Sequence, residues 1–161
     1  MAKNRTSTTR IDLKSKLRDS MTALLNQQLA DTVDLYTQVK QAHWNVRGPH
    51  FIALHELFDK LAEDLEDPVD DIAERVTALG GVARGTARDA AARSRLKELG
   101  RDFHDLTVVA ELADRYAALA STTRAAIETA AKEGDADTSD LFTGVSRGLD
   151  KALWFLEAHL S

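Results

Sequence analysis

Residues 54–81 read LHELFDKLAEDLEDPVDDIAERVTALGG. Leu54, Leu57, Phe58, Leu61, Leu65, Val69, Ile72, Val76 and Leu79 recur every three or four positions. That spacing puts apolar side chains on one face of an α-helix. Gly80-Gly81 closes the run, because glycine accepts the left-handed conformation in which helices end. The remaining surface is acidic, with Glu56, Asp59, Glu63, Asp64, Glu66, Asp67, Asp70, Asp71 and Glu74 against Lys60 and Arg75. One proline, Pro68, lies inside the run. It removes an amide donor, crowds the Asp64 carbonyl and disfavours helical geometry at Asp67, at a cost of about 3 kcal/mol. The apolar period still continues from Leu65 through Val69 to Ile72, which predicts a kinked helix rather than a broken one.

Three further segments carry the same period. The first holds Leu17, Met21, Leu24, Leu25, Leu29, Val33, Tyr36 and Val39 and ends in the turn Asn45-Val46-Arg47-Gly48-Pro49. Another runs from about Leu106 through Val109, Leu112, Tyr116 and Leu119 to Ile127. The last holds Leu141, Val145, Leu149, Leu153, Leu156 and Leu160. Asp137 reads as its N-terminal cap, and Asp140 adds favourable charge there. Residues 82–104 are too many for a tight turn and are rich in Ala and Arg, so they are expected to hold a short helix. The predicted fold is all-α: a four-helix bundle over residues 11–161 with a short helix in one long crossover, the ferritin-like arrangement. Residues 1–10, rich in Ser, Thr and charge without apolar period, are expected to form a flexible arm.

Composition agrees. Only 8 of 161 residues are Gly and 2 are Pro, which favours long helices. The lack of cysteine excludes disulfides and thiolate metal sites. No apolar run reaches membrane-spanning length and the N-terminus is polar, so the expected location is cytoplasmic, extending to the nucleoid. The formal charge of −5 is unevenly spread. Residues 1–20 carry Lys3, Arg5, Arg10, Lys14, Lys16 and Arg18 against Asp12 and Asp19. A basic tail on an acidic body points to polyanions for the one and cations for the other, the plainer alternative being a solvated tail and a solvated helix face.

The acidic helix also carries ligand-type residues in register. With His55 at zero, Asp59 lies about 40° round, Asp70 about 60° and Glu74 about 100°, all on one face. Asp59 and Asp70 are nevertheless about 16 Å apart along the axis, too far for one ion to bridge. Two copies running antiparallel about a two-fold axis near Asp64 and Leu65 remove the difficulty. His55 and Asp59 of one chain then face Asp70 and Glu74 of the other, each pair at the i, i+4 spacing. His43, at the end of the first helix, can add an imidazole, and imidazole with carboxylate suits iron or another transition metal. Taken singly, His43 beside Trp44 reads as a packed helix-end histidine, Trp44 as a packing residue, and the carboxylates as solvated. The joint pattern favours the site. No histidine has Asp or Glu three residues before it, so the Glu-x-x-His pattern of a di-iron site inside one bundle is absent.

Lys40-Gln41-Ala42-His43-Trp44-Asn45-Val46-Arg47-Gly48, then His55-Glu56-Leu57-Phe58-Asp59, then Asp70-Asp71-Ile72-Ala73-Glu74-Arg75, resembles the Dps family, the mini-ferritins first described as DNA-binding proteins of starved cells. Leu79-Gly80-Gly81, Asp114-Arg115-Tyr116 and Leu149-Asp150-Lys151 with Trp154-Phe155 extend the likeness over about residues 15–160. The resemblance implies two-fold dimers assembled into a hollow dodecamer. That dodecamer would oxidise Fe(II), preferably with hydrogen peroxide, and store the ferric mineral. It implies two irons per intersubunit site, held by His43, His55 and Asp59 of one chain with Asp70 and Glu74 of its mate. Each iron gives one electron to peroxide, which avoids releasing hydroxyl radical. It also implies an acidic entry pore at a three-fold axis, carried over to Asp137 and Asp140 with Asp135. Weak, salt-sensitive DNA binding by the arm would involve Lys3, Arg5 and Arg10. Pro68 departs from the family's uninterrupted helix. Two other readings therefore stand beside ferroxidase and iron store: a non-enzymatic DNA-coating nucleoid protein, and an assembly whose metal site Pro68 impairs.

Overall fold

The computed structural model describes residues 8–161. Five helices follow in order: α1 Ser15–Asn45, α2 Phe51–Ala78, α3 Ala87–Arg93, α4 Asp105–Glu133 and α5 Ala136–Glu157. The long helices form two antiparallel hairpins, α1 with α2 and α4 with α5, and α3 lies against α1. This is the all-α, ferritin-like four-helix bundle with a short crossover helix. The periodic apolar faces meet as one core, in which Leu25, Leu29, Leu35, Leu54, Phe58, Ile72, Leu112, Leu119 and Phe142 are fully buried. Among the described residues, no helix is long and apolar enough to cross a membrane.

Helix α2 ends as its double glycine requires. Gly80 takes φ 87°, and the Gly81 amide reaches back to the Val76 carbonyl at 2.9 Å. A Cβ at Gly81 would collide with the Thr22 side chain of α1, so the second glycine also permits the close approach of the two helices.

The helix runs without interruption through Pro68. Pro68 has no N–H for the Asp64 carbonyl, and its ring lies on the side facing α5. There it borders a cleft of about 500 Å³ with Leu61, Leu65, Tyr116 and Val145. Gly144 and Gly148 line the same cleft, and a Cβ on either would meet nothing within 4 Å. The opposing helix therefore leaves room where the proline falls.

The crossover is held by side chains rather than by periodicity. Asn26 of α1 donates to the Val82 carbonyl and accepts from the Arg84 amide, and Gln27 donates to the Arg93 carbonyl. Asp31, 1% exposed, accepts from both the amide and the guanidinium of Arg95. Arg115 of α4 bonds the carbonyls of Lys97 and Glu98. Arg95 thus belongs to a structural ion pair.

One expectation at α5 is corrected. The cap is Asp135, not Asp137: the Asp135 side chain accepts from the Thr138 amide at 3.1 Å, while Asp137 lies in the first turn.

Candidate metal centre

The last turns of α1 and the first turns of α2 bring Lys40, His43, His55 and Asp59 together. The Nδ1 of His43 lies 2.8 Å from the His55 carbonyl oxygen, and the Nδ1 of His55 lies 2.9 Å from the His43 carbonyl oxygen. Carbonyl oxygens only accept, so both Nδ1 atoms carry hydrogen and donate. In the neutral rings both Nε2 atoms then keep their lone pairs, the form in which imidazole binds metal. The rings stack at 3.9 Å between centroids with planes 20° apart, and Phe51 flanks His55 at 5.2 Å.

Asp59 completes this half. Its Oδ1 lies 3.7 Å from the Nε2 of His43 and 2.7 Å from the Lys40 ammonium. The hydrogen bond from Lys40 holds the Asp59 carboxyl below its usual range, and the same bond raises Lys40 above the usual lysine value. The carboxylate is ionised and already carries a cation. Lys40 stands three residues before His43 on one face of α1, a spacing that marks it as a neighbour of the site.

Asp70 and Glu74 are exposed on the same helix as Asp59, away from this group. Among the described residues, no three His, Cys, Asp or Glu side chains converge closely enough to hold a metal. His43, His55 and Asp59 are thus neighbours at the junction of α1 and α2 without closing into a metal cage, and Asp70 and Glu74 lie apart from them. Trp44 is 67% exposed, so the packing expected of it does not occur within the chain.

The three carboxylates at the start of α5 differ sharply. Asp135 is 2% exposed and binds the Arg75 guanidinium at 2.8 Å as well as the amide and hydroxyl of Thr138. Asp137 is exposed, with Arg75 3.8 Å away, and Asp140 is exposed at the rim of the Pro68 cleft. Asp135 is thus occupied in the fold, and Asp137 and Asp140 are the pair that face solvent. In the basic arm, Lys3 and Arg5 lie outside the described residues, and Arg10 is exposed ahead of α1.

A family model for a ferritin-like domain matches residues 22–161, in agreement with the bundle and its crossover helix. The DNA protection during starvation protein of Agrobacterium fabrum is 42% identical over 157 residues, covering 97% of each chain. That of Brevibacillus brevis is 31% identical over 148 residues, 92% of this chain and 99% of its own. Among solved structures, Mycobacterium smegmatis Dps superposes with a TM-score of 0.92 at 31% identity, covering 97% of this chain and 94% of that one. DpsC from Streptomyces coelicolor gives 0.91 at 30% identity, covering 97% and 92%. The class is that of ferritin-like proteins. Within it, the chain belongs to the Dps family.

Proposed function

We propose that the protein oxidises ferrous iron, stores the ferric product in a hollow dodecamer built from two-fold dimers, and so protects DNA. The observation that carries this reading is the reciprocal bonding of His43 and His55, which leaves both Nε2 lone pairs free, that of His43 3.7 Å from the ionised Asp59. Two imidazoles and a carboxylate suit Fe(II), and added carboxylates suit Fe(III). In this reading Asp70 and Glu74 come from the two-fold mate. Iron is the substrate: two ferrous ions each give one electron to hydrogen peroxide, which with two protons leaves as water.

Exposed Asp137 and Asp140 would line the iron entry, with Asp135 fixing their helix start. The names of the relatives supply the protective role, and Lys3, Arg5 and Arg10 would give the weak, salt-sensitive DNA contact. The uninterrupted course of α2 through Pro68 supports a working site over an impaired one.

The test adds Fe(II) and peroxide to the purified protein and follows ferric absorbance. A rate well above buffer, lost in Asp70→Ala with Glu74→Ala, supports the proposal. A wild-type rate equal to buffer overturns it and leaves the DNA-coating protein or the assembly with an impaired metal site. A gel shift tests the arm: no binding at low salt, or binding that survives deletion of residues 1–15, overturns its role.

A further inference from the structure

The turn between α1 and α2 is fastened to the start of α4 by residues outside the ligand set. The Arg47 amide donates to the Phe103 carbonyl at 3.1 Å, and the Asp105 amide donates to the Arg47 carbonyl at 2.8 Å. Asp105 is 6% exposed, and the Nδ1–H of the exposed His50 reaches both its carboxylate oxygens, at 2.9 and 3.0 Å. Asp105 stands at φ 38°, a conformation uncommon for non-glycine residues and best tolerated by Asp and Asn. Opposite lies Gly48 at φ 126°, where a Cβ would sit 3.0 Å from both the Cβ and Oδ2 of Asp105. Gly48, His50 and Asp105 therefore form a tight clasp.

The clasp has a consequence one turn back in α1. In a continuing helix the amide of residue 47 bonds the carbonyl of residue 43. Here that amide is committed to Phe103, and the His43 carbonyl is left without its helical donor. The Nδ1–H of His55 fills the vacancy at 2.9 Å. We infer that the His50–Asp105 clasp is a positioning device. By holding the Arg47 amide on Phe103, it keeps the His43 carbonyl open to His55 and fixes His55 in the tautomer with a free Nε2. Its importance to iron chemistry rests on the proposed role of His55 as a ligand; the tautomer itself does not. When the clasp opens, α1 can extend by one bond. The Arg47 amide then competes for the His43 carbonyl, and His55 is free to move its proton to Nε2, where a metal cannot bind. His43 is unaffected, because its own acceptor, the His55 carbonyl, lies within α2.

The test uses the metal-free, 15N-histidine-labelled full chain, with each imidazole assigned from its own His→Gln variant. In the wild type, His43 and His55 should both show hydrogen on Nδ1. In Asp105→Ala and His50→Ala, His55 should become a mixture of tautomers while His43 does not change. Asp105→Asn should restore the wild-type pattern, since asparagine tolerates this backbone and its oxygen still accepts from His50. His50 is exposed, so its variant keeps the test open if Asp105→Ala does not fold. A His55 that stays wholly Nδ1-protonated in His50→Ala overturns the inference. Cobalt(II) titration of the same proteins then tests the ligand role. A loss of about tenfold in affinity is expected for Asp105→Ala, and less for His50→Ala. A tautomer that shifts with no change in cobalt binding would uphold the clasp and overturn the assignment of His55 as a ligand.

Discussion

His43 and His55 hold each other through their main chains: each ring donates from Nδ1 to the other's carbonyl, at 2.8 and 2.9 Å, while the rings stack face to face. The acceptors are backbone atoms, so they survive replacement of either side chain. His43→Ala therefore removes one Nε2 but leaves His55 oriented, and His55→Ala does the same for His43. Each variant should weaken cobalt(II) binding, and the two losses should nearly multiply in the double variant. Any coupling should stay within the roughly 0.5–1.5 kcal/mol that a stacked pair of rings contributes. Isothermal titration of the two singles and the double measures it. A double variant no weaker than either single would mean that the rings act as one unit.

Because Asp70 and Glu74 share a helix with Asp59 yet lie about three and four turns away, a shared site predicts complementation. Asp70→Ala with Glu74→Ala should be inactive alone, as should His55→Ala with Asp59→Ala. Unfolded together in equal amounts and reassembled, half of the dimers should be mixed, each with one complete site of two. About a quarter of wild-type ferroxidase activity should return if dimers form at random about a two-fold axis. No recovery, with both chains shown in one assembly, would place the site within single chains.

Much of this architecture was legible because it is repetitive. The apolar period gave four long helices, and Gly80-Gly81 marked the end of α2 to within a residue or two. His55, Asp59, Asp70 and Glu74 were readable as one face for the same reason. Contacts between residues far apart in the chain were not readable. Nothing local tells that Asp31 reaches Arg95, or that Asp105 reaches His50, because such bonds depend on where the helices come to rest. Asp135 was missed as the cap because Asp137 is equally plausible by residue type, and Arg75 on another helix decides between them.

Lys40 on Asp59 implies that an incoming cation competes with a resident one. Lys40→Gln should tighten cobalt(II) or zinc(II) binding by roughly three- to tenfold, the scale of removing one partly screened charge. The pH window follows from the two shifts. Asp59, lowered from 3.8, contributes above the ordinary carboxylate value and loses its contribution as pH falls through its own. Lys40, raised from 10.5, contributes below the ordinary lysine value and loses it as pH rises through its own. The pair is thus intact from about pH 5 to 8, and the gain in Lys40→Gln should be constant there. It should shrink only as pH falls through the lowered Asp59 value, where the carboxylate protonates and the site weakens. A gain that varies across the neutral range would implicate groups other than this pair.

Pro68 leaves the Asp64 carbonyl without its helical donor but does not interrupt α2. Pro68→Ala restores that N–H and should stabilise the protein by about 1–3 kcal/mol, less whatever the proline gains by restricting the unfolded chain. Guanidinium unfolding at fixed protomer concentration measures the change. Ferroxidase rate should be unaltered, since the helix already continues through this position. A large rise in rate would show instead that Pro68 holds Asp70 and Glu74 out of place.

The acidic residues at the start of α5 divide into structure and transport, and a pair of substitutions separates the two. Asp135 is buried, binds Arg75 and caps the helix through Thr138, so Asp135→Ala removes a cap and the close charge partner of a guanidinium that is 14% exposed, leaving it the Thr138 hydroxyl and Asp137 at 3.8 Å. Breaking a fully buried pair from one side costs about 3–5 kcal/mol, and the remaining partners of Arg75 should keep the loss below that. Asp135→Asn keeps an acceptor for the Thr138 amide and should cost less. Asp137 is 85% exposed, so Asp137→Asn should change stability by no more than about 0.5 kcal/mol. If Asp137 lines the entry, however, its loss should slow iron uptake into the assembled particle by lowering the negative potential at the mouth. The slowing should fade as salt is raised, because exposed charges are screened within about 10 Å at 0.1 M. Denaturation midpoints and stopped-flow uptake at two ionic strengths check both halves. Uptake by Asp137→Asn equal to wild type at low salt would remove this residue from the entry path, while leaving Asp135 in its structural role.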